Sequence, residues 1–228
     1  NAPIISTIGV AMAMVTESVE RTVVQPKGED VKSIRREAIE RVMKSGAKEE
    51  TVEVSVEVDQ KANILRAVAT GAAELRQGKE NGTLPSKAEL LETAAKSIGV
   101  PSEQVQEIAA LGRWHIFDGI RSTKTFGFEK YHHAMRVIDR DGVVRLQREG
   151  IGAVLSTKEK LQESLDILLE ETTEYGTVGS QLPSLFAYYG EKQLDLSGLA
   201  TREQVDEVLD MEMDGREKDE PVAVLAVL

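Results

Sequence analysis

Residues 51–58 constrain the fold more than any other stretch, because apolar and polar residues alternate there without a fault. Val52, Val54, Val56 and Val58 fall on one face of an extended chain, and Glu53, Ser55 and Glu57 on the other. Such a strand needs neighbours for its backbone groups and a covering layer for its valines. The flanking sequence offers both. Residues 62–69 are apolar enough for a second, more central strand, reached through the polar turn Asp59-Gln60-Lys61. Upstream, Val31, Ile34, Ala38 and Val42 recur at helical spacing against Lys, Arg and Glu. That pattern predicts a helix starting near Asp30 and stopping at Ser45-Gly46. A helix followed by paired strands points to an α/β layer and away from a bundle.

The remaining sequence extends this alternation of helices and strands. Residues 4–19 read as a largely buried helix, apolar most of the way round, with Gly9, Ala11 and Ala13 permitting close packing. Residues 78–85 shift to Gly, Asn, Lys and Pro and read as a linker between a unit at 1–77 and a second at 86–228. The capping box Ser86-Lys87-Ala88-Glu89 opens a helix to Ser97, and Pro101-Ser102 marks a second short helix. That pair has the outline of a helix-turn-helix but lacks a basic reading face. Residues 113–117 suit a strand, and 133–139 with 142–147 form a hairpin across Arg140-Asp141-Gly142. Residues 157–172 are an amphipathic helix with Leu161, Leu165, Leu168 and Thr172 along one stripe. Residues 185–189 suit a strand. The capping box Thr201-Arg202-Glu203-Gln204 begins a helix to about Met213, and the apolar run 221–228 fits a buried strand. The expected class is mixed α/β in two small modules.

Composition narrows the function classes. The 228 residues, 41% of them hydrophobic, suffice for a sizeable core. With no Cys, disulfides, thiolate catalysis and Cys-based zinc sites are excluded together, and a cytoplasmic setting is expected. A formal charge of −11 argues against a nucleic-acid groove, which needs clustered Lys and Arg. The acidic run between Glu203 and Glu220 reads as a solvated helix face and loop. No apolar run is long enough to span a bilayer, so no membrane association is expected. Asn1-Ala2 in place of a starting Met reads as the scar of a cleaved purification tag, so a domain of a longer polypeptide is expected.

No residue earns a catalytic or metal-binding assignment from its pattern. His132 and His133 are adjacent, so on a strand they point to opposite faces and cannot share a metal. His115 or Asp118 would have to complete a site, and no H-x-x-x-H spacing supports one. Asp139 and Asp141 flank a turn, where Asp is expected for turn chemistry alone. Glu53 and Glu57 share a strand face that reads as meeting water. Ser6, Ser122 and Ser184 lie in no G-x-S-x-G elbow, and neither nucleotide-binding glycine motif is present. Arg121-Ser122-Thr123-Lys124-Thr125 reads as a polar loop, with phosphate contact as its alternative.

Two short segments resemble a known family. Ser6-Thr7-Ile8-Gly9-Val10 is similar to the N-A-I-G-A-like helix start near the end of the actin-like ATPase core in hydantoinase/oxoprolinase proteins. Arg66-Ala67-Val68-Ala69-Thr70-Gly71 resembles the "rAvGdL" end of that core, and large subunits of diol-dehydratase reactivases look similar there too. The resemblance covers roughly the first third of the chain. It implies that the first module completes an actin-like core, with ATP and Mg bound by the upstream ATPase domain of the same polypeptide. Ser6, Thr7 and Gly9 are then the candidate cofactor-binding positions, although close packing of two helices, or of a helix and a sheet, is the simpler explanation of Gly9. No cofactor is expected in this piece itself, since the phosphate-gripping segments are not in it. The implied role is an accessory or regulatory C-terminal part that docks a partner enzyme, as in reactivases. Alternatives are a fold-completing segment of an ATP-dependent amidohydrolase and a structural oligomerisation module. Typical hydantoinase-type chains end soon after the matched region. The continuation here, with HAMRVIDRDGVVRLQ and LDLSGLATREQV, is a departure that keeps hydantoin or oxoproline hydrolysis from being carried over.

Overall fold

A computed structural model of the chain describes residues 14–72, 84–125, 128–176 and 179–228. The first stretch holds β1 (Met14–Thr22), α1 (Gly28–Lys44), β2 (Glu53–Asp59) and β3 (Ile64–Ala72). Next come α2 (Lys87–Ile98) and a meander of β4 (Val105–Leu111), β5 (Trp114–Thr125), β6 (Phe128–Asp139) and β7 (Val144–Thr157). α3 (Leu161–Thr172) precedes a small hairpin of β8 (Glu174–Gly176) and β9 (Gly179–Gln181). The chain closes with β10 (Ser184–Tyr189), β11 (Lys192–Asp195), α4 (Arg202–Met213) and β12 (Pro221–Val227). The fold is mixed α/β.

Among the described residues, ten strands form one sheet in the order β1-β3-β2-β11-β10-β12-β7-β6-β5-β4. Its one parallel pairing among the described residues joins β2 to β11, with Ser55 opposite Asp195. The sheet therefore runs across both sides of the expected boundary at 78–85, most of which lies outside the described residues. α1, α3 and α4 cover one face. Val31, Ile34, Ala38 and Val42 of α1 bury against Val54, Val56, Leu65, Ala67 and Ala69, as the periodicities of both segments require. Leu185, Val224, Leu209 and Met213 from the later elements belong to the same core.

The unbroken apolar run in β12 has a direct cause: the strand is buried on both faces. Val222, Val224 and Ala226 meet the helices, while Ala223, Leu225 and Val227 join Trp114, Ile116, Val137, Leu146 and Tyr188 in a second core. This second core exists because the sheet curls, bringing the β4–β5 turn against the β10–β11 turn. The Arg113 amide donates to the Gly190 carbonyl at 3.2 Å. Gly112 has φ +55°, and a Cβ there would stand 1.9 Å from the same carbonyl oxygen. α2 covers the outside of the curl with Leu90, Ala94 and Ile98 against Phe117, Ala134 and Ile138.

Four expectations are corrected. Residues 14–19 are strand and not the end of a helix: Val15 and Val19 turn inward, while Thr16, Ser18 and Glu20 turn out. Pairing along all nine residues with β3, and the β-branched residues in this stretch, outweigh the helical reading. Ser102 opens a single 3-10 turn, Ser102–Gln104, that runs straight into β4, so no helix-turn-helix forms. Arg121 to Thr125 continue β5, not a loop, because β6 pairs with them as far as Phe128. The helix expected from 157 begins at Leu161, after β7 has run on to Thr157 along β12.

Candidate functional site

Among the described residues, nothing covers the face of the sheet opposite α1 along β1, β3 and β2. The register aligns Thr16 with Thr70 and Glu53, Ser18 with Val68 and Ser55, and Glu20 with Arg66 and Glu57. All point away from the valines that pack on α1. The two Thr hydroxyls lie 3.0 Å apart, and Arg66 pairs with Glu20 at 2.8 Å. The reading that Glu53 and Glu57 share an outward face is borne out, and both are exposed.

At the C-terminal ends of β2 and β11 this face continues into an open groove of about 820 Å³. Glu57, Asp59, Lys61, Asp195 and Ser197 line it. Its two aspartates are engaged in local turns. Asp59 Oδ1 accepts from the Lys61 and Ala62 amides, both at 2.9 Å, and Asp195 Oδ1 from the Ser197 amide and hydroxyl at 2.9 and 2.6 Å. Gly198 seals the groove floor. Its carbonyl accepts from the Val58 amide at 3.0 Å, and a Cβ at this position would meet the Val56 carbonyl oxygen at 2.0 Å.

Where the open face meets the curl, aromatic and charged groups gather. Trp114 and Tyr188 pack edge to face at 5.3 Å, and the Arg113 guanidinium stands 5.3 Å from the Trp114 ring. Both rings are buried. Trp114 Nε1, Tyr188 Oη and Arg113 Nε have no hydrogen-bond partner among the described residues. Burial first, then the charges of Glu53 and Asp195, push the Tyr188 phenol well above its ordinary range. Glu53 stands at the border: the residue is exposed, yet protein crowding its carboxyl raises the pKa. Arg145 and Arg113 oppose that rise and Asp195 adds to it. Nothing in the sequence marked Trp114 or Tyr188, since an aromatic residue in an apolar run reads as core. Asp139 is fully buried beneath the hairpin turn. Its burial disfavours charge, but the Val143 amide, Arg145 at 2.7 Å and Arg113 at 3.1 Å outweigh that and hold the carboxyl below its usual range.

The histidines are dispersed, each beside its own carboxylate. His115 Nδ1 lies 2.6 Å from Glu107, His133 Nδ1 2.8 Å from Asp118, and His132 Nδ1 3.6 Å from Glu149. His132 and His133 take opposite faces of β6, as adjacent strand residues must. Among the described residues, no group of three or more His, Asp or Glu side chains is arranged to hold a metal ion. The candidate cofactor positions Ser6, Thr7 and Gly9 lie outside the described residues. No described helix is long and apolar enough to cross a membrane. No protein-family model, no curated protein and no solved structure matches the chain.

Proposed function

We propose that the chain is an accessory, partner-docking portion of a larger ATP-driven protein with an actin-like core, and that its docking surface is the uncovered face of β1, β3 and β2. That face carries the reading. Among the described residues nothing packs over it, and Thr16, Thr70, Ser18, Ser55 and the Arg66–Glu20 pair surround the half-buried Val68 there, leaving a broad sheet face for another layer to cover. The occupant proposed is the upstream ATPase domain of the same polypeptide, which on this reading binds ATP and Mg. A partner enzyme engages the assembled pair. The segment that resembles the end of the core, Arg66 to Gly71, forms the middle strand of this face. A cytoplasmic setting belongs to the same reading and draws on the absence of Cys.

The test mixes the chain with the separately produced upstream part and follows co-elution. Val68→Lys and Ser55→Arg should abolish co-elution, while Glu40→Lys on the outer face of α1 should leave it intact. Co-elution that ignores the two face substitutions overturns the proposed surface. Calorimetric titration of ATP and ADP separates the roles. Heat from the joined polypeptide but not from the chain alone is expected, whereas nucleotide binding by the chain itself overturns the accessory role. Light scattering that finds a stable homo-oligomer of the chain would favour the oligomerisation reading instead.

A further inference from the structure

On the side of the meander that α2 covers, β5, β6 and β7 place Arg121 opposite His132, Ala134 opposite Glu149, and Arg136 opposite Gln147. These residues line a cavity of about 220 Å³ beside the C-terminal end of α2. Arg136 is only 8% exposed. It donates to the Ser97 hydroxyl at 2.7 Å and to the carbonyls of Met135, Ser97 and Arg148 at 2.8, 3.1 and 3.5 Å. All four acceptors are uncharged, and among the described residues no carboxylate lies within ion-pair distance of Arg136. A buried guanidinium without an acid is unusual, because hydrogen bonds to uncharged groups offset only part of its desolvation.

The last-turn carbonyl of α2 accounts for part of this, as a cation belongs at a helix C-terminus. It does not account for Arg121. A second guanidinium stands close enough that, after burial, its like charge is the next influence disfavouring the charge on Arg136. Among the described residues one carboxylate stands at the rim, Glu149, held loosely at 3.8 Å from Arg121 and 3.6 Å from His132. Arg148 gives the site its carbonyl, and strand alternation sends its side chain to the other face. Two arginines and a histidine thus face one carboxylate in a concave site, on a chain whose net charge is −11. Like charges brought together at a cost, with room between them, fit an absent counter-charge.

We propose that this cavity binds a phosphate-like oxyanion between the guanidinium groups of Arg136 and Arg121, with His132 at its rim. Arg121, held only loosely by Glu149, has a planar fork that matches the paired oxygens of such an ion, while Arg136, with most of its donors taken, supplies charge and its remaining Nη2 hydrogen. The site is independent of the docking face and stands or falls separately from it.

The test is calorimetric titration of inorganic phosphate into the chain at low chloride, with acetate as the second probe. Saturable phosphate binding that exceeds acetate binding is expected. Arg121→Ala removes an exposed residue and leaves the fold intact. It should weaken phosphate about tenfold, the loss of one charge-assisted contact. Arg140→Ala, which removes the same charge elsewhere on the surface, should change nothing. Arg136→Lys keeps the charge but loses the planar group that Ser97 and the carbonyls hold in place, and should weaken phosphate too, with its melting temperature checking that the fold persists. The proposal is overturned by absence of saturable phosphate binding, by acetate binding as tightly as phosphate, or by equal weakening in Arg121→Ala and Arg140→Ala.

Discussion

Arg35 of α1 and Glu212 of α4 meet at 2.6 Å, with side chains only 5% and 8% exposed. Arg35 also donates to the Val54 carbonyl at 3.0 Å, and the Tyr189 hydroxyl donates to Glu212 at 2.5 Å. Removing one member of such a pair strands a buried charge. Glu212→Leu is therefore expected to cost about 3–5 kcal/mol in urea unfolding, and the double change Arg35→Met with Glu212→Leu to regain most of it. The pair also sets a pH dependence. Burial raises the Glu212 pKa, but Arg35 and the Tyr189 hydroxyl outweigh it, so the folded pKa lies below the ordinary value. The folded state then holds fewer protons than the unfolded state between those two pKa values. Stability is full above the unfolded carboxyl pKa of about 4 and declines as pH falls through it towards the folded value. Asp139 adds in the same direction. Unfolding midpoints measured from pH 7 to pH 3 should fall less steeply in Asp139→Asn than in the parent. None of this was legible beforehand. Arg35 and Glu212 are 177 residues apart, and each reads locally as one more charge on an amphipathic helix. The sequence around Asp139 speaks only for a turn residue, which is the half of its role that local sequence carries.

At the scale of elements, what is local was legible. The Ser86 capping box forms as expected, with the Glu89 carboxylate accepting from the Ser86 amide at 2.7 Å. Thr201 accepts from the Gln204 amide at 3.3 Å at the start of α4. Gly142 takes φ +84° in the hairpin turn. Elements decided by a distant partner were misread. β1 is a strand because β3 pairs along its whole length, and β5 runs through Arg121-Ser122-Thr123-Lys124-Thr125 because β6 does. Two glycines separate these causes experimentally. Gly46 ends α1 at φ +101° with nothing within 4 Å of where a Cβ would stand, so Gly46→Ala meets backbone strain alone. That costs about 1 kcal/mol. Gly112 combines φ +55° with a clash against the Gly190 carbonyl. Gly112→Ala should therefore cost about 2–3 kcal/mol more, since the two turns must part. Equal urea midpoints for the two variants would mean that the β4–β5 and β10–β11 turns are not held together in solution.

For the whole molecule, the sequence suggested two modules, and the question is how strongly their elements are coupled. In the sheet the link is slight, one parallel pairing at Ser55 and Asp195. The helical layer is joined more firmly. α4 reaches α1 through Arg35–Glu212 and the Lys32–Glu207 pair, and Gln204 Nε2 donates to the Pro26 carbonyl at 2.9 Å. A Cβ on Gly28 would overlap Glu207, so the two helices approach closely at that point. Valines of β2 and leucines of β11 and α4 share one apolar core. No local pattern announces this coupling, because β2 and β11 lie far apart in the chain and each is complete as a strand motif. The chain provides its own reporter. Its single tryptophan, Trp114, sits in the second core inside the curl, away from β1, β3 and α1. Far-UV circular dichroism, by contrast, follows every helix and strand. If the shared core and the α1–α4 contacts govern, Trp114 fluorescence and circular dichroism should trace one coincident urea transition, as a single cooperative unit requires. Loss of the circular dichroism signal before Trp114 responds would show that the first stretch opens by itself. Glu212→Leu should then widen that gap, because it removes the buried charge pair that ties α1 to α4.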